Sequence, residues 1–223
     1  MSNQNISYTS GQASVLSTNK VLRNTYALLS MTLLFSAVTA GISMAINPPH
    51  FTSLITSILG IALVWFVLPK TANTSKGLYV VFAFTGLMGF GLGPILNHYL
   101  SMANGGQVIM TALGGTGIIF LALSAYALTT RRDFSFMGGM LMVGLIVIMI
   151  AAIANIFLNM PALSLTISAV VILLMSGFIL YDTSRIINGG ETNYIMATVS
   201  LYLNIYNIFV HLLSLLGIFS SDD

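Results

Sequence analysis

Asp182 closes an uncharged block that runs from Phe134 to Tyr181, and a second polar feature follows it. Ser200, Asn204, Asn207, His211 and Ser214 are separated by four, three, four and three residues inside otherwise apolar sequence. On an α-helix that spacing puts all five along one face. Ionisable and amide groups in a hydrocarbon setting are costly unless they face protein or water, so a carboxylate near a polar stripe is a functional-site candidate. Two kinds of chemistry suit it: a ladder of interhelical hydrogen bonds, or a wetted path that passes a proton or a cation. The stripe taken alone fits both.

Asp182 itself is expected at the carboxyl end of a helix, where a carboxylate meets the negative pole of the backbone dipole and partial burial disfavours its charge further. Arg185, three residues on, can offset both effects; Arg23 and Lys70 can do so only if the fold brings them near. The plainer reading is a boundary carboxylate held by Arg185 or by water.

The elements that position these groups are membrane spans. Of the 223 residues, 57% are hydrophobic and 5% charged, whereas about a quarter of a water-soluble domain is charged. Seven basic and five acidic residues give a net charge of +2, and there is no cysteine, which excludes disulfides, thiolate catalysis and cysteine metal sites. The charges leave four uncharged blocks, Asn24 to Pro69, Gly77 to Thr130, Phe134 to Tyr181 and Thr192 to Ser221. A span needs about 20 residues, so the first three blocks each hold two and the last holds one. The expected architecture is all-α: a polar cytoplasmic tail over 1–19, then a single seven-helix domain over 20–221. The spans fall near 22–46, 51–68, 78–100, 108–128, 137–158, 162–181 and 196–219. The first also has the makings of a signal peptide, but its apolar run is longer than a usual signal core and it reads as a permanent helix. Pro69 is expected to stop the second.

The turns inside the long blocks, around Asn47 to His50, Ser101 to Gly106 and Asn159 to Pro161, carry no Lys, Arg, Asp or Glu. All seven basic residues therefore fall on one side of the membrane, with Asp222 and Asp223 on the other. The positive-inside rule puts the N-terminus in the cytoplasm and the C-terminus outside or in the periplasm.

The third span contains Gly86, Gly89, Gly91, Gly93 and Pro94. Gly89 and Gly93, four apart, admit a close helix neighbour, and Pro94 removes a backbone donor; tight packing around a kink is the first reading and a hinge the second. Asn155 in the fifth span is expected to bond to another helix. His50, His98 and His211 have no carboxylate partner in an outer turn, so no metal site is expected. There is no HExxH, no phosphate-binding glycine loop with lysine and no carboxylate pair within a span, which argues against an enzyme and against a cofactor. The bilayer is the partner the composition demands, and no nucleic-acid partner is expected.

Tyr181-Asp182-Thr183, the run from Ser200 to Phe209 leading into a Leu-Leu-Ser-Leu-Leu-Gly end, the Gly86 to Pro94 stretch with Ile95, and Arg132 to Phe136 resemble the Bax inhibitor-1 family, also called the transmembrane Bax inhibitor motif family. The resemblance covers the chain from about Leu16 to the C-terminus. It implies a bundle whose last helix is surrounded by the other six, and a pH-sensitive calcium leak gated by two proton-sharing aspartates. Asp182 matches the first aspartate; Asn204 stands at the second. An Asp182–Asn204 hydrogen bond could still latch the helices, but an amide cannot reproduce the titration of a carboxylate pair. Leu16 to Tyr26 and Asn188 to Ile195 resemble more narrowly a bacterial inner-membrane branch of the family that modulates the membrane-anchored, ATP-dependent protease FtsH. That branch implies the FtsH complex as partner, with calcium passage as the alternative activity.

Overall fold

A chain crossing hydrocarbon must satisfy its backbone N–H and C=O groups internally, so the uncharged blocks form helices. The computed structural model describes the backbone of residues 4–221 and the side chains of residues 18–220. Seven of its helices are long and apolar enough to span a membrane: α1 (Gln4–Ile46, its apolar span Thr18–Ile46), α2 (Phe51–Thr71), α3 (Lys76–Leu100), α4 (Gly105–Thr130), α5 (Ser135–Leu158), α6 (Pro161–Ile187) and α7 (Tyr194–Ser220). No strand occurs among the described residues, and the protein is an all-α integral membrane protein. Most side chains of the polar tail, and Asp222 and Asp223, lie outside the described residues.

The connections are short because the helices end sharply. Asn47, Arg131 and Asn159 follow α1, α4 and α5 in the left-handed region, at φ 51°, 49° and 49°; asparagine tolerates that conformation, which caps a helix by turning its last carbonyls onto following N–H groups. At the end of the bundle that holds the charged loops, the Asn193 amide donates to the Ala72 carbonyl (3.1 Å) and to Asn73 Oδ1 (2.8 Å), joining the α6–α7 and α2–α3 connections. At the uncharged end, Asn97 Nδ2 donates to Met44 O (3.1 Å) and Asn47 Oδ1 (2.9 Å).

Helix α7 packs against α1, α3, α4 and α6, while α2 lies on α3 and α5 on α6. The most apolar stretches of α3 and α7 are 50% and 44% buried and that of α5 is 11%, so α5 is left mainly to lipid. Small residues decide how close α3 comes to its neighbours. A Cβ at Gly89 would collide with the Ser36 carbonyl and the Thr39 hydroxyl of α1, one at Gly93 with Ser43, and one at Gly91 with Thr56 of α2. Without a hydrophobic drive between helices in lipid, this close approach is what gives the association its van der Waals contact. Pro94 is accommodated inside α3; it deprives the Phe90 carbonyl of its donor, and one residue on the Gly91 carbonyl accepts from Ser53 Oγ of α2 at 2.6 Å.

Pro69 does not stop α2. The helix widens into a π-turn over Leu63–Val67 and continues through Leu68–Thr71. A proline ring clashes with the carbonyl four residues back, and a local π adjustment absorbs that clash while rehousing the freed carbonyls, so the helix passes through it.

Candidate functional site

The site is built where α6 and α7 run side by side near the charged end. Helix α6 continues through Ile187, beyond Asp182. Asp182 thus lies within the final turns of the helix and not at its carboxyl end, and it faces a neighbouring helix more than the dipole's pole. Its Oδ2 accepts a hydrogen bond from Asn204 Nδ2 at 2.8 Å. Asn204 is buried, 6% exposed. A donor to a carboxylate forms one of the stronger hydrogen bonds, and its value rises with the loss of water around it.

Arg185 is not the direct partner of Asp182. Its guanidinium pairs with Glu191 (3.6 Å), donates to the Gly190 carbonyl (3.1 Å) and lies over the Tyr181 ring, 5.6 Å from the centroid. The reason is the turn after α6: Gly189 adopts φ 75°, and the N–H groups of Gly190 and Glu191 both return to the Arg185 carbonyl at 2.8 and 3.1 Å. That wrap brings Glu191 back over Arg185, which a helical spacing rule does not anticipate. Asp182, Arg185, Ile186, Glu191, Ala197 and Ser200 enclose a cavity of about 10 Å³, which is room for one water at most.

The rest of the stripe is divided among several contacts. His211 Nδ1 lies 3.1 Å from Ser168 Oγ of α6. Asn207 donates to its own Leu203 carbonyl at 2.8 Å, and Ser214 lies beside the Tyr99 hydroxyl of α3. Ser200 lines the small cavity. The structure therefore brings Asp182, Ser200 and Asn204 together and carries His211 to a separate contact further along; Gly89 and Gly93 lie apart, on the α1–α3 contact, with Pro94 next to Gly93 inside α3. Asn155 donates to Ser164 Oγ of α6 at 2.6 Å and accepts from Met160 N–H at 3.1 Å, holding the α5–α6 turn.

Two polar devices near the site were not singled out from sequence. Asn193 caps α7, its Oδ1 accepting from the N–H groups of Ile195 (2.9 Å) and Met196 (3.2 Å), while its own N–H donates to Glu191 Oε1 (2.8 Å). An asparagine directly before an apolar helical run is the ordinary sign of such a cap. The second is Tyr202, fully buried, whose hydroxyl lies 2.7 Å from Ser36 Oγ of α1 and 3.5 Å from the Thr85 carbonyl of α3. Its partners lie on other helices, and no local spacing reveals them. Outside the spans, the Asp133 carboxyl is held below the usual carboxylate range by the hydroxyl and the N–H of Ser135, the latter at 2.8 Å.

Chemically, the Asp182–Asn204 contact is a hydrogen bond with one titratable member. The amide offers a donor to an ionised carboxylate and an acceptor to a protonated one, so the contact can be kept in either state. Comparison with known proteins gives the arrangement its context. The model of the family described as Bax1-I, inhibitor of apoptosis-promoting Bax1, matches residues 18–221. The chain is 57% identical to the modulator of FtsH protease YccA of Escherichia coli K12, over 97% of this chain and 98% of that one. It is 53% identical to an uncharacterized membrane protein of Vibrio cholerae, over 96% of each. It is 47% identical to an uncharacterized protein of Pseudomonas aeruginosa, over 91% of each.

Proposed function

Because this chain belongs to the Bax1-I family, we propose that it is a regulatory protein of the bacterial inner membrane that binds the membrane-anchored, ATP-dependent protease FtsH and modulates its action on membrane substrates. The observation that carries the proposal is the 57% identity to a protein named as a modulator of that protease, extending over nearly the whole of both chains. The role needs no catalysis by the chain itself; it needs a stable bundle and a surface for the protease. In this reading the charged end faces the cytoplasm, since the basic residues gather there, and the polar tail over 1–19 takes part in docking. The Asp182–Asn204 latch, with the His211–Ser168 contact further along, holds α6 to α7, while Ser200, Asn207 and Ser214 complete the polar face of α7.

Affinity isolation from native membranes tests the proposal. The protease is expected to co-isolate with the full chain and to fall away when residues 1–19 are deleted; absence of association in both detergent and native membranes would remove the proposal.

A pH-sensitive cation leak is the second reading, and the observation that favours it is the seating of Asp182 against the position of the family's second carboxylate. Against it stand the amide at Asn204 and the confined space at the latch. Reconstituted protein that passes calcium, with the flux altered by Asp182→Asn, would favour the leak; flux equal to that of empty liposomes would exclude it.

A further inference from the structure

A second cavity lies away from the Asp182–Asn204 contact. Between α1 and α4, with α3 and α7 as its floor, lies a cleft of about 620 Å³. Its floor is formed by buried Leu92, Leu96, Tyr202 and Phe209, and its rims by exposed Gly41 of α1 and Gly106, Met110 and Leu113 of α4. Helices α1 and α4 both pack on α7 but stand apart along this stretch. A Cβ added at Gly41, Gly106 or Gly117 would meet nothing within 4 Å. Towards the charged end, Tyr26 and Phe120 close the gap, with ring centroids 6.0 Å apart.

We propose that this cleft is a binding site for one acyl chain of a membrane lipid entering from the leaflet at the uncharged end of the bundle. Three observations choose the occupant. The first is chemical: the lining is almost wholly apolar, and of its hydroxyls Ser36 is engaged with Tyr202 at 2.7 Å and Thr116 with the Ala112 carbonyl at 2.7 Å, which leaves that of Tyr206. A ligand group within the cleft therefore meets mainly hydrocarbon, and a headgroup stays outside. The second is length. From Gly106 to Phe120 the cleft follows α4 for about 21 Å at 1.5 Å per residue, enough to span one leaflet, about 15 Å, of a hydrocarbon core about 30 Å thick. The third is width. A helix about 10 Å across and of that length occupies roughly 1600 Å³, more than the space between the helices, so a partner's spanning helix would seat only part of its girth there. A single chain is narrow enough.

Selection in such a site falls on chain length and not on headgroup. The test uses the full chain in bilayers doped with a phospholipid that carries a diazirine midway along one acyl chain, with crosslinks mapped by mass spectrometry. The reference surface is α5, whose Met142, Val143, Ile146 and Ile150 are equally apolar and exposed. The proposal predicts labelling of Ile109, Met110 and Leu113 about tenfold above that of the α5 face, the ratio that corresponds to about 1.4 kcal/mol of preferential occupancy. It also predicts equal labelling by probes with different headgroups. The double substitution Gly41→Leu and Gly117→Leu fills space that no neighbouring atom occupies and should abolish the enrichment while thermal unfolding stays cooperative. Equal labelling of cleft and α5 would reduce the cleft to ordinary boundary lipid and overturn the proposal. So would dependence on a single headgroup, or a photoreactive residue at Leu113 trapping a peptide from another chain in place of lipid.

Discussion

Helix α7 treats its two long sides in opposite ways. Toward α6 it presents Ser200, Asn204 and His211, and there the structure is closed: Asn204 sits 2.8 Å from Asp182, His211 sits 3.1 Å from Ser168, and the space beside the carboxylate holds at most one water. Toward α1 and α4 it presents Tyr202, Tyr206 and Phe209, and there the structure is open, with about 620 Å³ left between the helices. The difference follows from what fills each kind of gap in a bilayer. An unsatisfied polar group in hydrocarbon costs several kcal/mol, so polar side chains must find one another at short range. An apolar gap is filled by lipid at little cost, so nothing forces its walls together. The polar seam is therefore the place where the helices are held, and the apolar cleft the place where they are free to remain apart.

Substitutions on the two sides should diverge accordingly. The largest effect is expected at the seam. Asn204→Leu removes the donor from a buried carboxylate and should cost about 3 kcal/mol of stability, measured by thermal or denaturant unfolding in a mild detergent. A cost no greater than that of a leucine placed at Gly117 would break the contrast. Asn204→Asp sharpens it: two carboxylates at this distance repel once both ionise, so the stability of the variant relative to the parent should fall as pH rises. A difference that stays constant with pH would mean that the carboxylates do not face each other.

The next effect concerns how α7 is anchored. Asn193→Ala removes the cap of α7 and the ties to Ala72 and Asn73, and should cost about 1–2 kcal/mol, with hydrogen exchange accelerated at the N–H groups of Ile195 and Met196. On the cleft side the sign reverses: Gly117→Ala meets open space, and replacing a mid-helix glycine should stabilise by about 0.5–1 kcal/mol. A destabilising Gly117→Ala would show that the cleft is closed by something the helices need. Smallest of all is Arg185→Ala. The Arg185–Glu191 pair is partly exposed, with side chains 34% and 23% accessible, and should contribute about 0.5 kcal/mol, declining with salt.

What could be read from the chain divides along the same line. The seven spans are legible because charge is expensive in hydrocarbon, so the uncharged blocks between Arg and Lys residues mark them directly. The facing of Asp182 and Asn204 is anticipated through the family resemblance, which matches these two positions to a carboxylate pair; the stripe alone defines one side of α7 and not the neighbour it meets. The fate of Arg185 is not, because it depends on the left-handed turn at Gly189 that folds Glu191 back. Neither is the passage of α2 through Pro69, where a local π-turn overrides the usual effect of proline. The cleft is the least legible feature: Gly41, Gly106 and Gly117 look in sequence like the packing glycines Gly89 and Gly93, and only the separation of α1 from α4 distinguishes a glycine pressed against a neighbour from one facing open space.

The proposed function, modulation of a membrane protease, is tested most directly by degradation of a membrane-embedded substrate in liposomes that contain purified FtsH and ATP, with and without this chain at equal amount. The account predicts a longer substrate half-life when the chain is present, with its effect lost when residues 1–19 are removed. An unchanged half-life, with the chain shown to be folded and inserted, would contradict it.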